Sequence, residues 1–196
     1  SLRGDLVLYA RTLDGGATQL AAAVEQARFD SPDPAARPQL DALALELREP
    51  FVFTLAGGKV TETFPRPTAS RFADSIARTL AASLQVAAQP SAGTTTWKAN
   101  EFDATGEYVA EYARAGAGLE LSKRKTGYES LALGTLSLTR VAATVTPKVQ
   151  ESSGTVLLLT LPEGRTRLQR VTSAEQIEVE VTSTTPMKSS TSLSLE

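Results

Sequence analysis

Glu101 and Asp103 stand on either side of Phe102, within a stretch from Trp97 to Asp103 that reads as a strand. Residues two apart on a strand share a face, so these carboxylates sit side by side, the arrangement that paired acid/base chemistry requires. Glu107 and Glu111 follow beyond a turn at Ala104-Thr105-Gly106. A solvated strand face has the same spacing, however, and no third clustered group completes a catalytic set, so no catalytic residues are expected. Lys123-Arg124-Lys125, near Tyr128, is the second chemical feature. Such a run is suited to a phosphate headgroup or an acidic partner. Alternation leaves only two of its charges on one face, and a solvated, charged edge that discourages strand-to-strand aggregation is the favoured reading. Gly57-Gly58-Lys59 lies between strand patterns and lacks the GxxxxGK[ST] spacing, so it is not a phosphate loop. Trp97, the single tryptophan, reads as a core or barrel-mouth anchor.

The missing residue types narrow the chemistry further. The 196-residue chain has no histidine and no cysteine. That removes Ser-His and Cys-His nucleophiles, zinc sites of the usual Cys/His kind, haem ligation and disulfides. No metal and no cofactor is expected, and an enzyme would have to work with carboxylates, Lys, Tyr, Ser or Thr. A formal net charge of −2, from 20 Lys and Arg against 22 Asp and Glu, gives no electrostatic case for nucleic acid. No stretch approaches the ~18 apolar residues of a membrane-spanning helix. Arg outnumbers Lys by 14 to 6, which suggests a GC-rich bacterial coding sequence. The sole methionine is Met187, and Ser1 and Leu195-Glu196 look like cloning remnants, so an excised domain is expected.

The elements that must position these groups are mostly strands. Ser and Thr supply 41 residues, and short Val-, Leu- and Thr-rich runs recur between turn signals. Asp5 to Thr12 opens as a strand and stops at Asp14-Gly15-Gly16. Ala17 to Asp30 suits strand or helix and is read as a strand from its hairpin-like flanks. After a loop around Pro32, Pro34 and Pro38, the alternating Leu43, Leu45 and Leu47 predict a strand. Phe51, Phe53 and Leu55 predict another, and Gly57-Gly58 turns the chain into Lys59 to Phe64.

One segment breaks this pattern. From Thr68 to about Ala88, Phe72, Ile76, Leu80 and Leu84 recur every four residues, with Ala73, Ala77 and Ser83 beside them. This predicts an α-helix over 68–88 with Ser70 as N-cap and Asp74 near the positive end of its dipole. The stripe is either core-facing or lipid-facing. Beyond it, strands are expected at Glu107–Arg114, Leu119–Tyr128, Leu131–Thr139, Val141–Val149, Thr155–Leu161, Arg165–Val171 and Gln176–Thr182. Gly154 and Pro162-Glu163-Gly164 are read as turns. The fold expected is mainly β, a single domain over 1–185. A curved, barrel-like antiparallel sheet covers one central amphipathic helix, and a flexible Ser/Thr-rich tail or remnant occupies 186–196.

In order, these pieces resemble the N-terminal barrel-like domain of the large lipid transfer proteins, the family of vitellogenin, apolipoprotein B and the microsomal triglyceride transfer protein. FVFTLAGGKVTETF (Phe51 to Phe64) is similar to a strand, turn and strand of that family. RFADSIARTLAASLQV (Arg71 to Val86) resembles its helix ending in a Leu-Gln pair, here Leu84-Gln85. WKANEFDATGEYVAEY (Trp97 to Tyr112) looks like the hairpin that follows, with Glu101, Gly106 and Tyr112 at its motif positions. The resemblance covers roughly residues 45 to 130. Family members carry a paired Cys just after the turn glycine, where this chain has Tyr108, so the resemblance implies a bacterial relative lacking the disulfide.

By that resemblance the chain is a non-enzymatic, lipid-transfer or lipoprotein-like domain of a bacterial exported protein, in the periplasm or on the outer surface. Its partners would be lipid or a protein, with the family's downstream domains lying elsewhere in a longer polypeptide. Composition alone also suits a structural or adhesive β domain of a surface protein with no lipid ligand.

Overall fold

A computed structural model describes residues 1–88, 90–91, 93–104, 106–114, 120–131, 145–160, 166–181 and 187–195. The chain divides into two compact units, Ser1–Gln85 and Val86–Glu196.

The first unit is a four-stranded antiparallel meander with two helices. Strand β1 (Leu2–Thr12) turns at Gly15 and Gly16, both at positive φ, into β2 (Thr18–Phe29). Ala17 to Asp30 is thus a strand, as its flanks indicate. The register runs from Leu2↔Phe29 to Thr12↔Thr18, with a bulge at Arg3/Asp5. Gly4 fills that bulge because a Cβ there would stand 2.7 Å from the Glu25 carbonyl oxygen. Strands β3 (Phe51–Ala56) and β4 (Lys59–Phe64) form the expected hairpin across Gly57-Gly58.

Residues Leu43 to Leu47 are not a strand. Leu43 to Glu46 are the last residues of helix α1 (Arg37–Glu46), which Leu47 caps and which is entered through a short 3-10 turn at Pro34–Ala36. Three alternating leucines fit period 2, but Leu40, Leu43, Ala44 and Leu47 also fit i, i+3, i+4, i+7, and the segment contains no β-branched residue. Burial decides between the two periods. Leu47 is fully buried and Ala44 nearly so, whereas Leu45 points outward at 59% exposure. The helix end is tied to the sheet, since the Leu47 carbonyl accepts from the Val24 N–H at 2.8 Å.

Helix α2 (Arg71–Ser83) is shorter than the 68–88 expected. Ser70 caps it, its hydroxyl accepting from the Ala73 N–H at 3.2 Å, and Asp74 lies in its first turn. Long-range contacts fix its start, its finish and the end of α1. The Glu46 carboxylate accepts from the Ser70 N–H at 2.7 Å. Arg66 donates to the Glu46 and Glu49 carbonyls at 2.6 and 2.9 Å, closing the end of α1. The buried Gln85 amide accepts from the Val60 N–H at 2.9 Å and donates to the Ala82 carbonyl.

The second unit is a six-stranded antiparallel sheet in the order β10-β9-β8-β7-β6-β5. It contains β5 (Thr96–Phe102), β6 (Gly106–Arg114), β7 (Glu120–Leu131), β8 (Val145–Thr160), β9 (Thr166–Val181) and β10 (Met187–Leu195). The short strands expected from 141 to 182 are two strands of 16 residues each. Bulges at Val149/Glu151 and Leu157/Leu158 absorb the irregularity that reads as a break in the sequence. Gly154 is no turn. It lies inside β8, where a Cβ would stand 3.1 Å from the carbonyl oxygens of both Lys123 and Thr172. Most of the strand expected at Leu131–Thr139, and the turn at Pro162-Glu163-Gly164, lie outside the described residues. The expected tail pairs with β9 from Met187↔Val179 to Leu195↔Val171. A Ser/Thr-rich segment suits an edge strand, because its stability comes from the backbone ladder, and Ser192 and Ser194 are exposed.

The protein is therefore mainly β, with two antiparallel sheets and a small helical part. Among the described residues the strands close no barrel. Among those residues β1–β4 and β5–β10 are hydrogen-bonded as two separate sheets, in place of the single curved sheet expected. Among those residues no helix is long and apolar enough to cross a membrane.

Candidate functional site

The two chemical features of the sequence meet on one face of the second sheet. Strand register sets Trp97 opposite Tyr112 and Tyr112 opposite Lys123. One step along, Ala99 faces Ala110 and Ala110 faces Lys125. In the next row Glu101 faces Tyr108 and Tyr108 faces Tyr128. The small alanines of the middle row leave room for long side chains to cross between rows.

Glu101 is at the centre, with a side chain wholly removed from solvent. Its Oε2 is 2.6 Å from the Lys123 ammonium and accepts the Tyr108 hydroxyl at 2.8 Å. Its Oε1 accepts the Tyr112 hydroxyl in a short hydrogen bond. Tyr112 in turn accepts from the Ala87 N–H at 3.2 Å and stacks on Trp97 with ring centroids 5.1 Å apart. Beside this set, Asp103 and Lys125 pair at 2.5 Å, with side chains 13% and 7% exposed. Lys125 also donates to the Tyr128 hydroxyl at 2.8 Å and lies 4.3 and 4.8 Å from the Tyr108 and Tyr128 ring centroids. Two carboxylates and two ammonium groups thus balance within a shell of three tyrosines. Apolar packing surrounds them. Ala87, Trp97, Ala110, Leu121 and Val156 are buried in one cluster.

Burial governs the titration of Tyr108, Tyr112 and Lys123. It pushes the Tyr108 and Tyr112 hydroxyls well above their ordinary value, and the negative charge of Glu101 adds to this. It pulls Lys123 downward, against the opposing pull of Glu101. Buried ion pairs of this kind repay their desolvation only with good geometry and extra hydrogen bonds, and each Glu101 oxygen has them. A carboxylate held on both oxygens is poorly placed to take a proton from a substrate, which favours a structural over a catalytic part for Glu101.

Sequence-selected residues separate by face. Glu101, Asp103, Lys123, Lys125, Tyr108, Tyr112 and Tyr128 converge. Glu111 pairs with Arg124 at 2.7 Å and Glu107 accepts from Asn100, both among exposed groups. Of the positions named from the resemblance, Glu101 and Tyr112 bond each other, and the Gly106 N–H donates to Asp103 Oδ1 at 3.0 Å. On α2 the stripe Phe72, Ile76, Leu80 and Leu84 is not the buried face. Leu80 is buried, Ile76 and Leu84 are half-buried, and Phe72 is 75% exposed. The face turned inward is Ala73, Ala77, Leu80 and Ala81. In the sequence the carboxylates and the basic run stand apart, and nothing local links Tyr108 to either. Its signal was the alternation Tyr108, Ala110, Tyr112, but only register could join it to β5 and β7.

Fold and site together define a mainly β protein of two sheets, with a charge-balanced, tyrosine-lined cluster buried in the second. No protein-family model matches the chain, and no curated protein matches it. It is similar in structure to lipovitellin, solved in work on its lipid–protein interactions, with a TM-score of 0.59 and 13% sequence identity. The likeness covers 91% of this chain and 20% of the lipovitellin chain. At that identity it is a distant likeness of fold, and this chain spans about a fifth of lipovitellin's length.

Proposed function

We propose that this chain is a non-enzymatic domain of a lipid-transfer or lipoprotein-like protein, acting in recognition of lipid or of a protein partner. The observation that carries the reading is the fold likeness to lipovitellin over nearly the whole chain. The saturated hydrogen bonding of Glu101 supports it, since this buried carboxylate is bonded to groups on neighbouring strands. Exposed apolar side chains support a contact role as well. Leu8, Tyr9, Leu45, Phe64 and Phe72 are all exposed in the first unit. A bacterial origin and an exported location belong to the same proposal; the first rests on the Arg-rich composition and the second on the family resemblance.

Native mass spectrometry of the purified chain, followed by solvent extraction, tests the lipid reading. Phospholipid or acyl-chain adducts that pass into the organic phase are the expected result. A bare mass, unchanged after incubation with phosphatidylglycerol/phosphatidylethanolamine vesicles, would overturn lipid binding and leave recognition of a protein partner.

A further inference from the structure

We infer that Lys125 and Asp103 form an intramolecular isopeptide bond, a covalent cross-link fastening the β5–β6 turn to β7. The reacting groups are already in contact, with Lys125 Nζ 2.5 Å from Asp103 Oδ2. Both are largely removed from solvent, Lys125 lying against the faces of Tyr108 and Tyr128. The two carboxylate oxygens differ in the way an acyl substitution needs. Asp103 Oδ1 accepts the Gly106 N–H at 3.0 Å, a donor placed to stabilise negative charge on the oxygen that stays. Oδ2, the oxygen that leaves, accepts the Tyr128 hydroxyl at 3.3 Å, and that hydroxyl accepts from Lys125 Nζ at 2.8 Å. Tyr128 therefore touches both reacting groups and bridges the path of the proton.

The balance closes without another reactant. Lys125 passes one proton through Tyr128 to Oδ2, giving a neutral amine and a carboxylic acid. Nζ attacks Cγ, the N–C bond forms, and charge gathers on Oδ1 against the Gly106 N–H. A second proton moves from nitrogen to Oδ2, the C–O bond breaks and water leaves. Ammonium plus carboxylate become amide plus water, with no change in net charge or oxidation state. Strands fixed by their ladders hold the pair at contact, which supplies the effective concentration that free amines and acids lack in water.

Intact mass of the full chain, measured denatured after purification and again after incubation, reads the bond directly. The expected mass is one water below that of the sequence. Trypsin should then yield residues 99–114 joined to 125–140, with no cleavage after Lys125. Lys125→Arg keeps the charge pair but cannot condense, and should show the full mass. Asp103→Asn should lose ammonia in place of water, a signature no purely electrostatic role gives, and Tyr128→Phe should slow the loss. A folded wild-type chain at full mass would overturn the inference. So would a lost water that maps to Asp103 alone, as a succinimide, or to any other pair.

Discussion

Glu101 shows what burial does to a charged side chain. Two tyrosine hydroxyls and an ammonium group replace its water, and the whole set is neutral with Lys123, Asp103 and Lys125. Removing one partner leaves another charge uncompensated, which costs about 3–5 kcal/mol for a buried pair. Glu101→Gln should therefore destabilise the second unit by that order, measured as a fall in the urea midpoint. Lys123→Met in the same chain should recover a large part of the loss, because the stranded ammonium goes with it. A double variant no better than the single would place the cost in lost tyrosine hydrogen bonds. Both carboxylates and both lysines were legible as sequence features, Glu101 and Asp103 by their spacing and the lysines by their run. Their meeting was not, since the Tyr112↔Lys123 and Ala110↔Lys125 registers depend on bulges in β6 and β7.

Helix α1 is the element where sequence periodicity misleads. A three-leucine window cannot separate period 2 from period 3.6, and the hairpin that follows it pulls the reading toward a strand. The helical face makes a prediction that the strand reading does not share. Leu47→Ala should cost about 2–5 kcal/mol by leaving a cavity. Leu45→Ala, at an outward position, should stay within about 0.5 kcal/mol. On a strand the two would share a face and lose similar amounts. Helix α2 was readable because thirteen residues carry several turns of the pattern and a Ser N-cap marks its start. Which edge of its apolar stripe faces inward was not, for the alanines allow closer approach than Phe72 does.

At the scale of the molecule, alkaline titration should report the buried tyrosines. Tyr108 and Tyr112 have folded values raised above the unfolded value near 10, so their contribution to stability is full below that pH and is lost as pH rises. Lys123 has a folded value below its unfolded one, so its contribution runs the other way and is complete by about pH 10.4. Above that point only the tyrosine slope remains. The urea midpoint should fall steeply there, and phenolate absorbance of Tyr108 and Tyr112 should appear together with unfolding. Phenolate from Tyr112 ahead of unfolding, followed in a chain with Tyr9, Tyr108 and Tyr128 replaced by Phe, would contradict its burial. By itself the sequence determined the β-rich class, the hairpin at Gly57-Gly58, the capped helix after Ser70 and the exclusion of histidine and thiol chemistry. Those follow from composition and from periods of two or four residues, which are local. Tertiary structure alone decided that the strands form two open sheets, that Met187–Leu195 joins one of them, and that Glu101, Asp103, Lys123 and Lys125 share one buried face. Those outcomes rest on hydrogen-bond ladders between strands distant in sequence, where one residue of register exchanges the buried face for the exposed one.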